Sequence, residues 1–535
     1  MIDITKRNEL EMKKSGKIYN LHSYWTKQPV EVIENFISSF SKEGETILDC
    51  FAGTGMTGVA AKKNKRKSIL YDLSPICCHI SKGYTSTISN NKELDIEFEK
   101  FKLQMESKFS DLLHHEVEGV KKRIKYTLYS RDYECPECKT IFSTFDDEVK
   151  FLRTQNKERG DNCPNCKYSN YKKYIPKGLQ VREITLANKP TKIRIPSNQQ
   201  IISKFKNIKF DEFPNEQFFG KEPKRNYKYG ITKVYQLYSN FNLHILQEIK
   251  AYIDNITNEK HKSIFLFVFS SILFNCSLLS AYTKYENTVY RTGTYYIPRI
   301  IKDNNPLDSF YSKFKTITKT LSSTYDSETE VKIINRSATN MAEVPDCSVD
   351  FVYIDPPYSD MINYSELNLV WESWLGLKGD YEQEVIVNSH HGKSLTFYLK
   401  TMTEIFQELH RVLKINKKMT LIFHHPKPEH WRMIQKAIYE SGFSLVNKQP
   451  IQIRSKSLTH SQINTNKSVQ GFLGLVFEKS TSSDKLLSVD KNEFDAIIHN
   501  LTIGAKKQKC ISKSEIYDYI ITKLFPKYEI QDFTL

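Results

Sequence analysis

The hydrophobic pattern along the chain changes character twice. Apolar residues recur at helical spacing from Val30 to Phe40, just after Pro29, a residue suited to a helix start. Residues 46–50 form a short buried-type strand, a glycine-rich loop follows, and 56–63 read as helix. Residues 68–72 give a second strand, and Ser74-Pro75 opens another helix. Between about 88 and 327 the alternation stops. A charged helix from Glu93 to roughly Glu116 leads into Lys121-Lys-Arg-Ile-Lys125, and residues 226–284 look helical and aromatic. The α/β pattern then resumes, with strands at 331–335, 349–354, 419–424, 443–450 and 471–478 and helices at 397–414 and 429–441. The expectation is α/β: one open, mainly parallel sheet, interrupted after its second strand by a mostly helical insertion of about 240 residues.

Composition narrows the class. With 39% hydrophobic and 26% charged residues the 535-residue chain suits a folded protein rather than a disordered one. Lys plus Arg outnumber Asp plus Glu by 78 to 62, and the net charge of +16 favours a polyanionic partner such as nucleic acid. The N-terminal residues lack the apolar stretch of a secretory signal, so a cytoplasmic location is expected. Residues 263–282 are apolar enough to resemble a membrane span, yet they hold Asn275 and five serines. A buried helix, with no membrane association, is the expectation.

The first chemical motif is Asp49-Cys-Phe51-Ala-Gly53-Thr-Gly55-Met-Thr-Gly58, between a strand and a helix. Glycines let a ligand approach the backbone, and the helix start offers free N–H groups. Gly53, Gly55 and Gly58 match G-x-G-x-x-G, and Asp72 ends the next strand where an acid would take ribose hydroxyls, so a dinucleotide enzyme enters the comparison. Asp49 weighs against it, because an acid there repels a pyrophosphate and favours an ammonium group. S-adenosylmethionine (SAM) carries an ammonium, a ribose and an adenine, and no phosphate.

The second motif is Asp355-Pro356-Pro357-Tyr358, after the apolar strand 349–354. Neither proline has an N–H, so the turn offers carbonyls and the Asp355 carboxylate. That set suits the two hydrogens of an exocyclic amino group, and Tyr358 adds a flat face for a planar base.

The pair FAGTG and DPPY, in this order, resembles the SAM-dependent amino-methyltransferases of DNA found in restriction–modification systems. His22-Ser-Tyr24-Trp-Thr-Lys27-Gln-Pro29 is similar to that family's N-terminal SAM-pocket segment. The resemblance covers about 20–85 and 328–480. It implies a seven-stranded Rossmann-like sheet whose antiparallel last strand is 470–478. It also implies SAM binding by Tyr24, Lys27, Pro29, Asp49, Phe51, Gly53, Gly55 and Asp72, and catalysis by Asp355, Pro356, Pro357 and Tyr358. Asp in the first tetrad position goes mainly with N6-adenine, whereas Ser goes mainly with N4-cytosine. The same tetrad occurs in enzymes of ribosomal RNA. One departure is that Asn335-Arg-Ser337-Ala-Thr339 lacks the acid that many relatives place against the SAM adenine.

Cys135-Pro-Glu-Cys138 and Cys163-Pro-Asn-Cys166 form C-x2-C, 24 residues, C-x2-C. Two such turns complete a closed four-thiolate zinc site, which is structural because no coordination position stays open. Cys50, Cys77, Cys78, Cys276, Cys347 and Cys510 show no ligand spacing. A zinc ribbon in the insertion also resembles one branch of the adenine-specific DNA methylases. Weaker signals are the basic runs 121–125 and 454–460, the basic-aromatic stretch 291–299, and the His390-His391 and His424-His425 pairs. The runs are phosphate contacts or solvated charge, the stretch is a base reader or packing, and the His pairs read as structural.

Together these features predict four parts: 1–87 for SAM binding, 88–327 with the ribbon at about 130–170 and target recognition, 328–483 with DPPY, and a helical appendage at 484–535. The expected activity is methyl transfer from SAM to adenine N6 in double-stranded DNA, with the base flipped out and a cognate restriction endonuclease as possible partner. The alternatives are N4-cytosine or RNA methylation on the same fold, an NAD-dependent oxidoreductase, and a non-catalytic zinc-ribbon DNA-binding protein.

Overall fold

A computed structural model of the chain describes residues 9–12, 16–88, 92–154, 162–187, 192–283, 285, 288–289, 293–325, 329–359, 362–388, 391–446, 451–455, 471–479, 486–508 and 513–534. The alternating segments build one sheet. Its order is Glu9–Met12, Ile451–Ser455, Gly471–Lys479, Leu413–Phe423, Val349–Ile354, Thr46–Asp49, Lys67–Asp72, Val331–Asn335. The five strands from Leu413–Phe423 to Val331–Asn335 run parallel, and Gly471–Lys479 is antiparallel to both its neighbours. From Thr46–Asp49 the sheet runs through Lys67–Asp72 to Val331–Asn335, and from Val349–Ile354 it runs the other way through Leu413–Phe423 and Gly471–Lys479. The order therefore reverses between these two strands, where open α/β sheets bind ligands.

The strand count differs from the expected seven. Glu9–Met12 adds an edge strand, parallel to Ile451–Ser455. Phe443–Leu445 and Ile451–Ser455 both pair with Gly471–Lys479, at opposite ends, so one sheet position holds two short strands. Among the described residues nine strands thus occupy the sheet.

Helices cover both faces. Val30–Phe40 and Pro75–Thr85 pack on one face, and Leu395–Val412 and Pro428–Glu440 on the other. Lys491–Lys507 and Lys513–Leu524 join the second face: Phe494, Ile520, Ile521, Leu524 and Phe525 are fully buried in the same core as Trp431. The tail therefore closes one side of the sheet.

The insertion shares the core of the first face. Glu259–Ile272 buries Phe265, Phe267, Val268 and Phe269 there, and Ser270 accepts a hydrogen bond from Trp371 Nε1 at 3.0 Å. Among the described residues no helix is long and apolar enough to cross a membrane. The expectation of a mostly helical insertion missed a second, antiparallel sheet. Its order is Thr288–Val289, Ala281–Tyr282, Ile301–Asn304, Val120–Glu134, Ile175–Ala187, Lys192–Pro196, with His114–Val117 and Ile141–Ser143 also on Val120–Glu134. The basic run starts the long strand, and its charges are paired: Arg123 bonds Glu106 and Asp308, Lys125 bonds Asp308, and Lys121 bonds Asp111. Three of its cations are thus engaged in ion pairs within the insertion. Residues 456–460 and Arg291, Thr292, His390 and Cys510 lie outside the described residues.

Candidate active site and metal centre

The glycine loop leaves the end of Thr46–Asp49 with Asp49 fully buried. One Asp49 oxygen accepts the Phe51 N–H at 3.0 Å, and the other accepts the Thr57 hydroxyl at 2.5 Å. Asp72 accepts the N–H groups of Gly53 and Ser74, each at 2.8 Å. Two loop donors that a phosphate would need are thus held by carboxylates. Gly53 and Gly55 have φ of +50° and +76°, which side chains other than glycine rarely adopt. A Cβ on Gly55 would stand 2.6 Å from Ser81 Oγ, so Gly55 lets the loop pack on helix Pro75–Thr85.

One cleft gathers most of the expected residues. Tyr24, Lys27, Asp49, Phe51, Gly53, Asp72, Asp355 and Pro357 line it. Pro29 starts helix Val30–Phe40 behind it, and Gly55, Pro356 and Tyr358 lie outside its lining. Ser337, in the segment lacking the expected acid, lines the cleft as well.

Asp355 is fixed from two sides. Gln28 Nε2 donates to Asp355 Oδ2 at 2.8 Å, and the Tyr358 hydroxyl donates to Asp355 Oδ1. The Tyr358 ring meets Phe423 edge-on, with centroids 5.6 Å apart, and leans on Phe472. Its hydroxyl orients the catalytic candidate, while stacking on a base remains the expectation from sequence. The Pro357 carbonyl accepts the Tyr398 hydroxyl at 3.1 Å, whereas no donor among the described residues reaches the Pro356 carbonyl. Ser359, just after the tetrad, has φ of +56° and a buried hydroxyl without a partner among the described residues, a strained backbone of the kind that gathers at functional sites.

The cleft is acidic. Among the described residues, Asp49, Asp72, Asp355 and Glu384 line it against a single cation, Lys27. The Lys27 ammonium is directed at the carbonyls of Tyr19 and His22, the latter at 2.6 Å, and burial pulls its pKa down to about 7. Burial pushes Asp49 up to about 7 and Asp72 up to about 6, with neighbouring acids adding to the effect. Glu372, which accepts the hydroxyls of Tyr381 and Ser74, is likewise raised by burial to about 7. A cationic ligand without phosphate fits this field and the occupied loop donors; a pyrophosphate does not.

Several contributors escaped the sequence reading. Gln28 sits inside the quoted N-terminal segment, but nothing local shows that it reaches Asp355. Tyr364 bonds Thr26 at 3.0 Å and stacks on Tyr24, and Asn368 bonds Tyr24 and Ser74. Helix Tyr364–Leu375 and the segment carrying Tyr381 and Glu384 close the cleft from beyond the tetrad, without a motif of their own.

The four clustered cysteines converge in the insertion. Their sulfurs all lie within 4.8 Å of one another, with Cys135–Cys166 and Cys138–Cys163 each at 3.6 Å. Zinc–sulfur bonds of about 2.3 Å in a tetrahedron put sulfurs about 3.8 Å apart, so the donor set fits zinc. The two knuckles are built alike: Lys139 and Lys167 have φ of +61° and +62°, and their N–H groups bond back to Cys135 and Cys163 at 3.0 Å. The site joins the ends of Val120–Glu134 and Ile175–Ala187 under Tyr133 and Tyr174.

Residues 3–83 match a family model described as DNA methylase, of the N6 and N4 methyltransferase type. The match spans the edge strand, the N-terminal segment, the glycine loop and Asp72. Over that segment the chain is similar to the amino-methyltransferases of DNA.

Proposed function

We propose that the protein methylates an exocyclic amino nitrogen in double-stranded DNA, N6 of adenine, with SAM as methyl donor. The observation that carries this reading is the shared cleft: the acid-lined glycine loop and Asp355 open onto one space at the sheet's reversal point. Its charge argues against an NAD-dependent oxidoreductase, because Asp49 and Asp72 occupy loop donors that a pyrophosphate would take. Intact Asp49, Asp72 and DPPY argue against a DNA-binding protein without catalysis. The restriction–modification setting, a cognate endonuclease and a cytoplasmic location rest on the resemblance alone.

In this reading Asp49 would hold the cofactor ammonium and Asp72 the ribose hydroxyls, with Phe51 and Ser337 lining the same cleft for the adenine end. When bound, SAM supplies an electrophilic methyl group on a sulfonium. Asp355 accepts one hydrogen of the target amine, and the Pro356 carbonyl accepts the other. Both contacts localise the nitrogen lone pair, which ring conjugation otherwise delocalises. Gln28 and Tyr358 keep the carboxylate aimed. The proton shed by the alkylated nitrogen leaves through Asp355 to solvent. Positioning supplies up to about 7–11 kcal/mol of the barrier reduction, and the fixed acceptors add electrostatic stabilisation. The target base must leave the duplex, which costs a few kcal/mol.

Incubation with SAM labelled in its methyl group and unmethylated genomic DNA tests the proposal. Label in DNA and none in a parallel RNA reaction is the expected result. Label in RNA alone, or in neither, overturns the assignment.

A further inference from the structure

A second cavity, of about 560 Å³, lies in the insertion, away from the SAM cleft. Its walls are strands Val120–Glu134 and Ile175–Ala187, helix Gln199–Lys206, the turn Pro223–Tyr229 and the start of helix Asn240–Asp254. That volume lies within the range of small-molecule sites, about 300–1,000 Å³.

Its charge is one-sided. Arg131, Lys177, Lys206 and Lys228 line it, and among the described residues no aspartate or glutamate does. Lys177 pairs with Glu134 at 2.7 Å. Arg131 is different: it is only 8% exposed, makes no ion pair among the described residues, and its buried Nε has no acceptor. The guanidinium lies 4.3 Å over the Tyr229 ring. A buried guanidinium without a counter-ion is costly, and an anion entering the cavity removes that cost. The nearby buried acid Asp303 is tied to Ser239 at 2.6 Å and Asn242 at 2.8 Å, and burial raises it to about 8, so it is largely neutral at pH 7.

The rest of the wall is apolar and aromatic. Phe205, Phe210, Tyr235, Leu243 and Leu278 face the same space. A ligand that fits both halves is an anion joined to a flat apolar body. We propose that this cavity binds a nucleotide, with its phosphate on Arg131 and its base among Phe205, Phe210, Tyr235 and Leu243. The nucleotide is either free in solution or one unit of a nucleic acid strand. The phosphate-binding fork and the stacking surface are the same in both cases.

The test uses the full-length protein without SAM and does not depend on methyl transfer. Calorimetric titrations with AMP, with a 5′-phosphorylated single-stranded tetranucleotide, and with inorganic phosphate are compared in wild type and Arg131→Gln. Binding weakened about tenfold or more in the variant, with SAM affinity unchanged, is expected. Arg131-dependent AMP binding as tight as that of the tetranucleotide assigns a free nucleotide, and Arg131-dependent binding of the tetranucleotide alone assigns a strand. Lys228→Ala, at an exposed position 5.0 Å from the Tyr229 ring, should weaken the same ligand a few-fold and covers the case of a misfolded Arg131 variant. Equal affinity in wild type and both variants, no binding, or phosphate bound as tightly as AMP and tetranucleotide overturns the proposal.

Discussion

Gln28 and Asp355 stand 327 positions apart in the chain and meet at 2.8 Å, the amide of one on the carboxylate of the other. The bond joins the N-terminal segment to the tetrad across the reversal point of the sheet. Gln28 Oε1 is buried and has no partner, so the side chain presents its amide N–H group to Asp355 and nothing else among the described residues. The pairing makes Gln28 a positioning residue for the proposed chemistry.

Gln28→Ala should therefore lower kcat by about ten- to a hundredfold, the effect of removing one hydrogen bond to a charged group. SAM affinity should change little. Single-turnover methylation and calorimetry on the same preparation separate the two. A variant with normal kcat and weakened SAM binding would assign Gln28 to the cofactor instead.

The acid cleft predicts a pH dependence. Asp49 and Asp72 have pKa values raised by burial to about 7 and 6, and a cationic ligand favours their ionised forms. Binding of SAM thus releases protons, and affinity should fall about tenfold or more as pH drops from 8 to 5.5. Both groups lie above their unfolded values. Their contribution to stability without ligand is present below about pH 4 and is lost as pH rises through 6 to 7. Melting curves with and without SAM should show the larger ligand-induced shift at pH 8. An equal shift at both pH values would contradict the electrostatic account.

Gly55→Ala tests the loop. The substitution forces a Cβ within 2.6–2.8 Å of Ser81 and places alanine at φ of +76°. Left-handed strain and overpacking, each about 1–3 kcal/mol, predict a loss of about 2–6 kcal/mol in denaturant unfolding. Gly44, with φ of +81° and nothing near its Cβ, is the control and should show the strain alone.

The cysteine cluster predicts one zinc per chain by metal analysis. Cys163→Ser should lose that metal and part of the roughly 10–16 kcal/mol with which zinc is held in comparable peptides. Lowered thermal stability with retained SAM affinity is expected, because none of the four cysteines lines the cleft. A metal-free native protein would end the zinc assignment.

The parts of this molecule that sequence disclosed are contiguous in the chain. The glycine loop, the tetrad and the cysteine knuckles each carry their chemistry within a few residues, so spacing alone shows it. The antiparallel sheet of the insertion escaped for a physical reason. The Val120–Glu134 strand shifts register against Ile175–Ala187 between Ile124 and Tyr126, between Leu128 and Tyr129, and between Arg131 and Tyr133. Each shift disturbs the inside–outside alternation by which a strand is recognised. The edge strand Glu9–Met12 pairs with residues more than 400 positions later, and no local pattern carries that information. Gln28, Tyr364 and Glu384 reach the cleft through the fold alone.

The central claim, methylation of an exocyclic nitrogen held by Asp355, is tested most directly by nucleoside mass spectrometry. Wild type and Asp355→Ala are incubated with SAM and unmethylated genomic DNA, after calorimetry has shown that both bind SAM. N6-methyladenine from wild type and none from the variant is the predicted result. N4-methylcytosine would keep the mechanism and change the base, whereas full activity in Asp355→Ala, or no methylated base from wild type, would contradict the account.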